Sequence, residues 1–429
     1  MGLAINISKH KNEGGTKLES CIERIKNDIE NVTRITATPN MGCTRFSYSK
    51  EDSEVREYLI KEMKDLGLSI KVDGVGNIRA KYIDNNEGKP SIMMGSHIDT
   101  VANGGKFDGL TGVVTALEVI RVIKENNVKI NNPIELIAFA EEEGSNFGST
   151  MVGSKILTGA YKLEDLKKIK NDDGISAYQV MKDFGLDVDN VENEVLKKEE
   201  VKAMVELHVE QGGILDSEQI SIGIVQAIVG MKTYKVKLKG VSNHAGSTPM
   251  YLRKDPMVGA AEIIIHMEKA AKEKALKDTV ATVGKIHCQP NGSNVIPGQI
   301  EFNVDIRDVE TEGMEIVARE LISKTKEVAE KRGLEYKVDL IGESECVKLS
   351  SKIINIIEDT ALENKYNFIK MNSGAVHDSA MLPGITDVGM IFVPSINGLS
   401  HCPQELTKFE DIKLGCDLLL KTVIKLANE

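Results

Sequence analysis

The chain has 429 residues, 41% hydrophobic and 28% charged, the make-up expected of a globular protein with a large buried core and about two domains. Its net charge of −11 argues against a nucleic-acid surface and leaves a small-molecule substrate open. No apolar run reaches the length of a membrane span, and the six cysteines include no C-x-x-C pair, as expected of free thiols in the cytoplasm.

The first residues, MGLAINISKHKNEGG, hold no long apolar stretch, so no signal peptide is expected. Asn6 stands where a myristoylation signal needs Ser or Thr, and His10 falls in a segment expected to fray. DGVGN (73–77) has one G-x-G and no third glycine, which is a turn rather than a dinucleotide loop. SIMMGS (91–96) reads as a buried strand, 109–126 as a helix with Val113, Leu117 and Ile120 on one face, and PIELIAFAEEEG (133–144) as a second buried strand. Strand, helix, strand in that order predicts an α/β fold: a mixed, mostly parallel sheet flanked by helices, with ligands at the C-terminal ends of its strands. Residues 161–203, rich in Lys, Asp and Glu, are expected to be solvated surface helices, and no function is assigned to them.

From about Val225 the texture changes. TYKVKLKG alternates apolar and lysine positions, the mark of a strand with one wet face. A helix over 256–274, strands near TVATVGKIHCQ and IEFNVDIRD, a helix over 311–332 and a strand near EYKVDLI follow. The order β-α-β-β-α-β is that of a ferredoxin-like α+β unit. Residues 227–340 are therefore expected to be a domain inserted into a discontinuous one formed by 1–226 and 341–429.

The chemistry rests on few residues. His97 ends the SIMMGS strand, and Asp99, two residues on, is positioned to orient its imidazole. Asp108 in FDG reads either as a helix N-cap or as a metal ligand. Glu141, Glu142 and Glu143 close the next strand, where a cation would hold three adjacent carboxylates and leave one to act as a base. His208 in VELHVEQGG and His401 in GLSHCPQE complete a set of nitrogen and oxygen donors that suits zinc. His266 reads as an ordinary helix-face residue. No H-E-x-x-H helix, G-x-S-x-G elbow or Walker loop occurs, which removes the main signals of thermolysin-like, serine-hydrolase and nucleotide enzymes.

Six motifs in order, GSHIDTVANGGKFDGLTG, AEEEGSNFGSTMVGS, ELHVEQG, SNHAGSTPM, NVIPGQIEFNVDIRD and GMIFVPSINGLSHCPQE, resemble the N-carbamoyl-L-amino-acid hydrolase and allantoate amidohydrolase family, from about residue 20 to the C-terminus. That family lies within the dinuclear zinc aminoacylase and carboxypeptidase superfamily. The resemblance implies a zinc-exopeptidase-like catalytic domain with an inserted lid and dimerisation domain. It implies two divalent ions per subunit, zinc foremost, with manganese, cobalt or nickel as alternatives. His97 and His208 match terminal ligands of one ion, Glu143 and His401 those of the other, Asp108 the bridge and Glu142 the general base. His208 stands where peptidase relatives carry an acidic ligand, which favours the amidohydrolase branch. His244 matches a histidine that reaches across a homodimer to the scissile carbonyl. Asn294, Arg307 and Gln211 match holders of a substrate carboxylate, though Arg307 alone reads as a surface arginine ending a strand. Ser373, Gly374 and His377 match a pocket-lining loop. The implied activity is hydrolysis of a ureido C–N bond in allantoate or an N-carbamoyl amino acid, by a cytoplasmic enzyme without nucleic-acid or membrane partners. The rival readings are a same-fold metallopeptidase or aminoacylase and a non-catalytic relative that kept the fold; the latter would be expected to lack Glu142 or a ligand.

Overall fold

A computed structural model describes residues 18–429. His10 and the residues read for a signal peptide or myristoylation lie outside the described residues.

The first segment builds most of a nine-stranded sheet. Helices α1 (Ile22–Thr33) and α2 (Lys50–Asp65) precede strands β1 (Ser69–Val72), β2 (Ile78–Tyr82) and β3 (Ser91–His97). Helix α3 (Leu110–Glu125) crosses over to β4 (Ile134–Phe139). Short helices α4 (Val152–Leu157), α5 (Leu163–Lys168) and α6 (Ala177–Asp183) lead to β5 (Val201–Val209), α7 (Ile214–Glu218) and β6 (Ile222–Ile228). Every residue of β3 and β4 is buried, which is why both read as largely apolar rather than alternating; Glu135 within β4 is paired with Arg79 at 2.6 Å. β3 lies between β4 and β5 and is parallel to both. α3 presses closely on that sheet: a Cβ on Gly112 would stand 2.5 Å from the Leu207 carbonyl oxygen.

The next segment forms its own sheet. Strands β7 (Gly230–Lys239), β8 (Asn243–His244), helix α8 (Pro256–Glu273), β9 (Val280–Gln289), β10 (Val295–Ile296), β11 (Gln299–Asp308), α9 (Thr311–Arg332) and β12 (Glu335–Ser344) follow in order. Four of them pair antiparallel in the order β12-β7-β11-β9. Buried and half-buried residues alternate along β7 and β11, and Val236, Ile263, Phe302, Leu321 and Val328 sit in a core distinct from that of the large sheet. β12 runs past residue 340 to Ser344, because an irregularity between Leu340 and Gly342 lets the strand continue along β7. The chain leaves and returns at one place: a Cβ on Gly230 would stand 2.6 Å from the Cys346 nitrogen.

The last segment re-enters the large sheet through β13 (Val347–Lys348), α10 (Ser351–Glu363), β14 (Phe368–Ser373), β15 (Asp387–Val393) and α11 (Phe409–Asn428). β13 pairs with β6, and β15 lies parallel to β5. The C-terminal ends of β3, β4, β5 and β15 thus gather at one edge.

Residues 161–203 depart from expectation. They are not merely solvated: Leu166, Ala177, Met181, Val188 and Val191 are buried in a satellite cluster with Tyr48 and Phe147. Long charged side chains hide this small apolar stripe in the sequence. The six cysteines are free, and no helix among the described residues is long and apolar enough to cross a membrane.

Candidate metal centre

His97 and His208 end neighbouring strands and are buried, at 3% and 1% exposure. Their Nδ1 atoms lie 3.0 Å from the Asp99 backbone carbonyl and 2.8 Å from that of Val209. An Nδ1–H donating to a carbonyl turns the Nε2 lone pair of each ring toward the site, where that of His208 accepts the Gly109 N–H at 3.2 Å. The Asp99 carboxylate does not take the place expected of it. It stands 3.7 Å from His97 Nδ1 and instead accepts the backbone N–H groups of Glu142 (3.2 Å) and Glu143 (3.1 Å). Asp99 therefore orients His97 through its backbone and the glutamate loop through its side chain. Gly109, at φ +64°, has no room for a Cβ, which would meet the His97 ring at 2.4 Å.

Asp108 is not a helix cap: α3 is preceded by Gly109 and has no side-chain cap. Its Oδ1 lies 3.5 Å from His97 Nε2 and 3.2 Å from His208 Nε2, and its Oδ2 lies 3.1 Å from His401 Nε2. Oδ1 is buried without a hydrogen-bond partner, an atom in want of a cation. His97, Asp108 and His208 offer ligand atoms within 4.8 Å of one another, and so do Asp108, Glu143 and His401. The two triads share Asp108. Buried imidazoles and carboxylates of this kind suit zinc, so the donor set fits a metal.

The three glutamates part ways. Glu141, at φ +54°, turns its Oε1 back onto the N–H groups of Asn146 and Phe147. Glu143 joins the second triad, 3.5 Å from His401. Glu142 Oε2 lies 3.8 Å from His97 Nε2. Burial, reinforced by Glu143 and Asp378 and countered by His97, pushes the Glu142 carboxyl well above its usual range. Burial and the Asp108 carboxylate push Glu143 up to about 7. On His97, burial opposes charge, but Glu142 and Asp108 outweigh it and raise the imidazole well above its ordinary value. The site carries an excess of crowded negative charge that a divalent ion would neutralise.

A second histidine grouping, Glu206, His208 and His377, is committed elsewhere. Glu206 accepts from the hydroxyls of Ser96 (2.6 Å) and Ser379, and His377 Nε2 lies 2.9 Å from Ser373 Oγ. The His377 ring packs on His208 with centroids 4.5 Å apart. Ser373, which the family resemblance implied as pocket-lining, is fully buried and holds His377.

A cavity of about 270 Å³ opens over the triads, walled also by Glu142, Arg307 and His377. A second, of about 500 Å³, adjoins it and shares Gln211, Arg307, Ala375 and His401. Arg307 donates to Asp305 (2.8 Å) and to the Gly374 carbonyl (3.3 Å), so the inserted segment reaches the catalytic edge. Gln211 Nε2 donates to Asp108 Oδ2 at 2.7 Å. His244 and Asn294 line neither cavity. His244 is exposed on the small β8–β10 pair, its Nδ1 accepting from the N–H groups of Gly246 and Ser247. His266 pairs with Glu320 at 2.7 Å, away from the site. Glu405, which the sequence did not single out, is buried beside Asp108; only its place four residues after His401 hinted at it.

The model of peptidase family M20/M25/M40 matches residues 93–425. An N-carbamoyl-L-amino-acid amidohydrolase of Pseudomonas sp. (strain NS671) is 39% identical over 405 residues, covering 94% of this chain and 98% of that one. The allantoate amidohydrolase of Bacillus subtilis is 34% identical over 400 residues, covering 93% and 96%. The crystal structure of a hydantoinase/carbamoylase-family amidase from Burkholderia multivorans superposes with a TM-score of 0.88 at 30% identity, covering 96% and 99%.

Proposed function

The chain belongs to peptidase family M20/M25/M40, and from that membership we propose that it is a metal-dependent amidohydrolase cleaving the ureido C–N bond of N-carbamoyl α-amino acids. The observation that carries this reading is the pair of donor triads sharing Asp108, with Glu142 beside them and Arg307 across the cavity. The larger cavity, walled by Ile214, Met371 and Ala375 but also by Glu210, Gln211, Asn372 and Ser400, has room for a substrate side chain, and the 39% identical N-carbamoyl-L-amino-acid amidohydrolase supports N-carbamoyl amino acids over allantoate.

His97, Asp108 and His208 would hold one divalent ion and Asp108, Glu143 and His401 a second. Such ions, zinc foremost, supply Lewis acidity toward water and a carbonyl oxygen. Glu142 takes the proton of the attacking water at its carboxylate and hands it to the leaving nitrogen, a role worth roughly 10²–10⁴-fold in rate. Its seclusion supports this, since burial raises the Glu142 carboxyl above its usual range and makes it a stronger proton acceptor than an exposed carboxylate. Arg307, steadied by Asp305 and Gly374, presents its guanidinium to the substrate carboxylate. His244, with Nδ1 occupied by backbone donors, carries its proton on the outward Nε2 and donates to the carbonyl oxygen in the site of a second copy, with Asn294 beside it. The active form is accordingly a homodimer through the inserted segment. One water converts R–NH–CO–NH2 to the free amino acid, carbon dioxide and ammonia. Six free thiols support a cytoplasmic location.

The test is ammonia release from a panel of N-carbamoyl amino acids, allantoate and dipeptides, using chelator-stripped protein with zinc or manganese restored. Metal-dependent ammonia from N-carbamoyl amino acids is the expected result. Ammonia from allantoate alone would move the substrate class, and cleavage of dipeptides alone would return the chain to the peptidase branch.

A further inference from the structure

Asp108 and His401 sit on loops, not on strands, and His401 is half exposed at φ +56°. Ligands carried on loops keep a metal geometry only where something ties the loops together. Glu405 bridges them. Its carboxylate is 4% exposed and belongs to neither donor triad. Oε1 accepts the backbone N–H groups of Phe107 (2.7 Å) and Asp108 (3.1 Å). Oε2 lies 2.8 Å from Ser400 Oγ, which itself stands 3.2 Å from Asp108 Oδ2. A buried carboxylate is costly, and here both of its oxygens are spent on the two ligand loops. An independent feature points to the same contact. A Cβ on Gly105 would stand 2.1 Å from Glu405 Cδ and Oε1 and 2.4 Å from its Cβ. Gly105 has no positive φ to require glycine, so in the NGGKFDG motif its missing side chain serves as the seat of Glu405.

We infer that Glu405, seated on Gly105, is a positioning residue that locks the Asp108 loop to the His401 loop and so sets the affinity of the shared-carboxylate centre. This rests on the reading of Asp108 and His401 as ligands. The test is zinc titration of the chelator-stripped full chain by calorimetry. Partners that orient ligands are worth 10–100-fold in metal affinity, so Glu405→Ala is expected to bind zinc at least about tenfold more weakly. Glu405→Gln keeps an acceptor for the two amides and a group that Ser400 can meet, and is expected to stay within about threefold of wild type. Gly105→Ala should match Glu405→Ala, and the double variant should be no weaker than Glu405→Ala alone, because the cause of the clash is gone. A Gly105→Ala loss that persists in full without Glu405, or unchanged affinity in both single variants, would overturn the clamp while leaving the metal centre standing. Wild-type protein that takes up neither zinc nor manganese would overturn the centre itself.

Discussion

Replacing Glu142 with Gln separates chemistry from binding. Glu142 belongs to neither triad that shares Asp108, and its backbone is held by the Asp99 carboxylate rather than by its own side chain. Gln has the same shape, so the fold, both donor triads and the cavity wall stay. What is lost is a carboxylate able to accept a proton 3.8 Å from His97 Nε2. The expected fall in kcat is 10²–10⁴-fold, about 2.7–5.5 kcal/mol of barrier, with KM and metal content little changed. Removing a carboxylate crowded by Glu143 and Asp378 also relieves repulsion, so the metal-free variant should unfold at a temperature no lower than wild type. Steady-state ammonia release, elemental analysis and thermal unfolding on the same preparation read all three. Turnover within about tenfold of wild type, at full metal content, would refute Glu142 as the base.

Gly109→Ala forces a methyl to 2.4 Å from the His97 ring at a left-handed backbone, and should cost most of the zinc affinity while the fold persists; normal zinc titration of the variant would count against His97 as a ligand. Arg307→Ala should lower kcat/KM for an N-carbamoyl amino acid by roughly 10–100-fold, the worth of a charge-assisted pair, yet leave an N-carbamoyl amine lacking the carboxylate unaffected. Equal losses on both compounds would show that Arg307 supports the fold instead. Mixing the impaired His244→Ala and Arg307→Ala proteins should raise activity above that of either alone, toward about a quarter of wild type, since random exchange leaves one intact site in half of the dimers. No recovery after verified subunit exchange would argue that His244 acts within its own chain or not at all.

The large sheet was legible because β3, β4 and β5 are parallel and almost wholly buried, which makes each a largely apolar run with few charged residues such as Glu135 and Glu206. The same layout made His97, the glutamates and His208 readable as one edge. The α8 and α9 spans and the alternating β7 followed from simple periodicity. Other features depend on backbone geometry that a sequence does not display. Asp99 meets His97 by its carbonyl and the glutamate loop by its carboxylate, which spacing alone does not distinguish. Which of three adjacent glutamates turns away is decided by the left-handed Glu141. Glu405 meets Asp108 across 297 positions of sequence, and only the closed fold reveals the contact.

The touching crossings at Gly230 and Cys346 bear on how the chain folds. β6 and β13 pair Ile228 with Val347, partners separated by the whole of the inserted segment. That segment is contiguous, has its own core, and brings its ends together when it collapses. If it folds first, the large sheet closes a gap of a few residues instead of more than a hundred, which spares about 3 kcal/mol of loop-closure entropy. Pulse-labelled hydrogen exchange should then find the amides of β7, β11 and α9 protected before those of β6. The segment that brings Arg307 to the catalytic edge would also serve, during folding, as the splint on which the last strands of the large sheet find their partners.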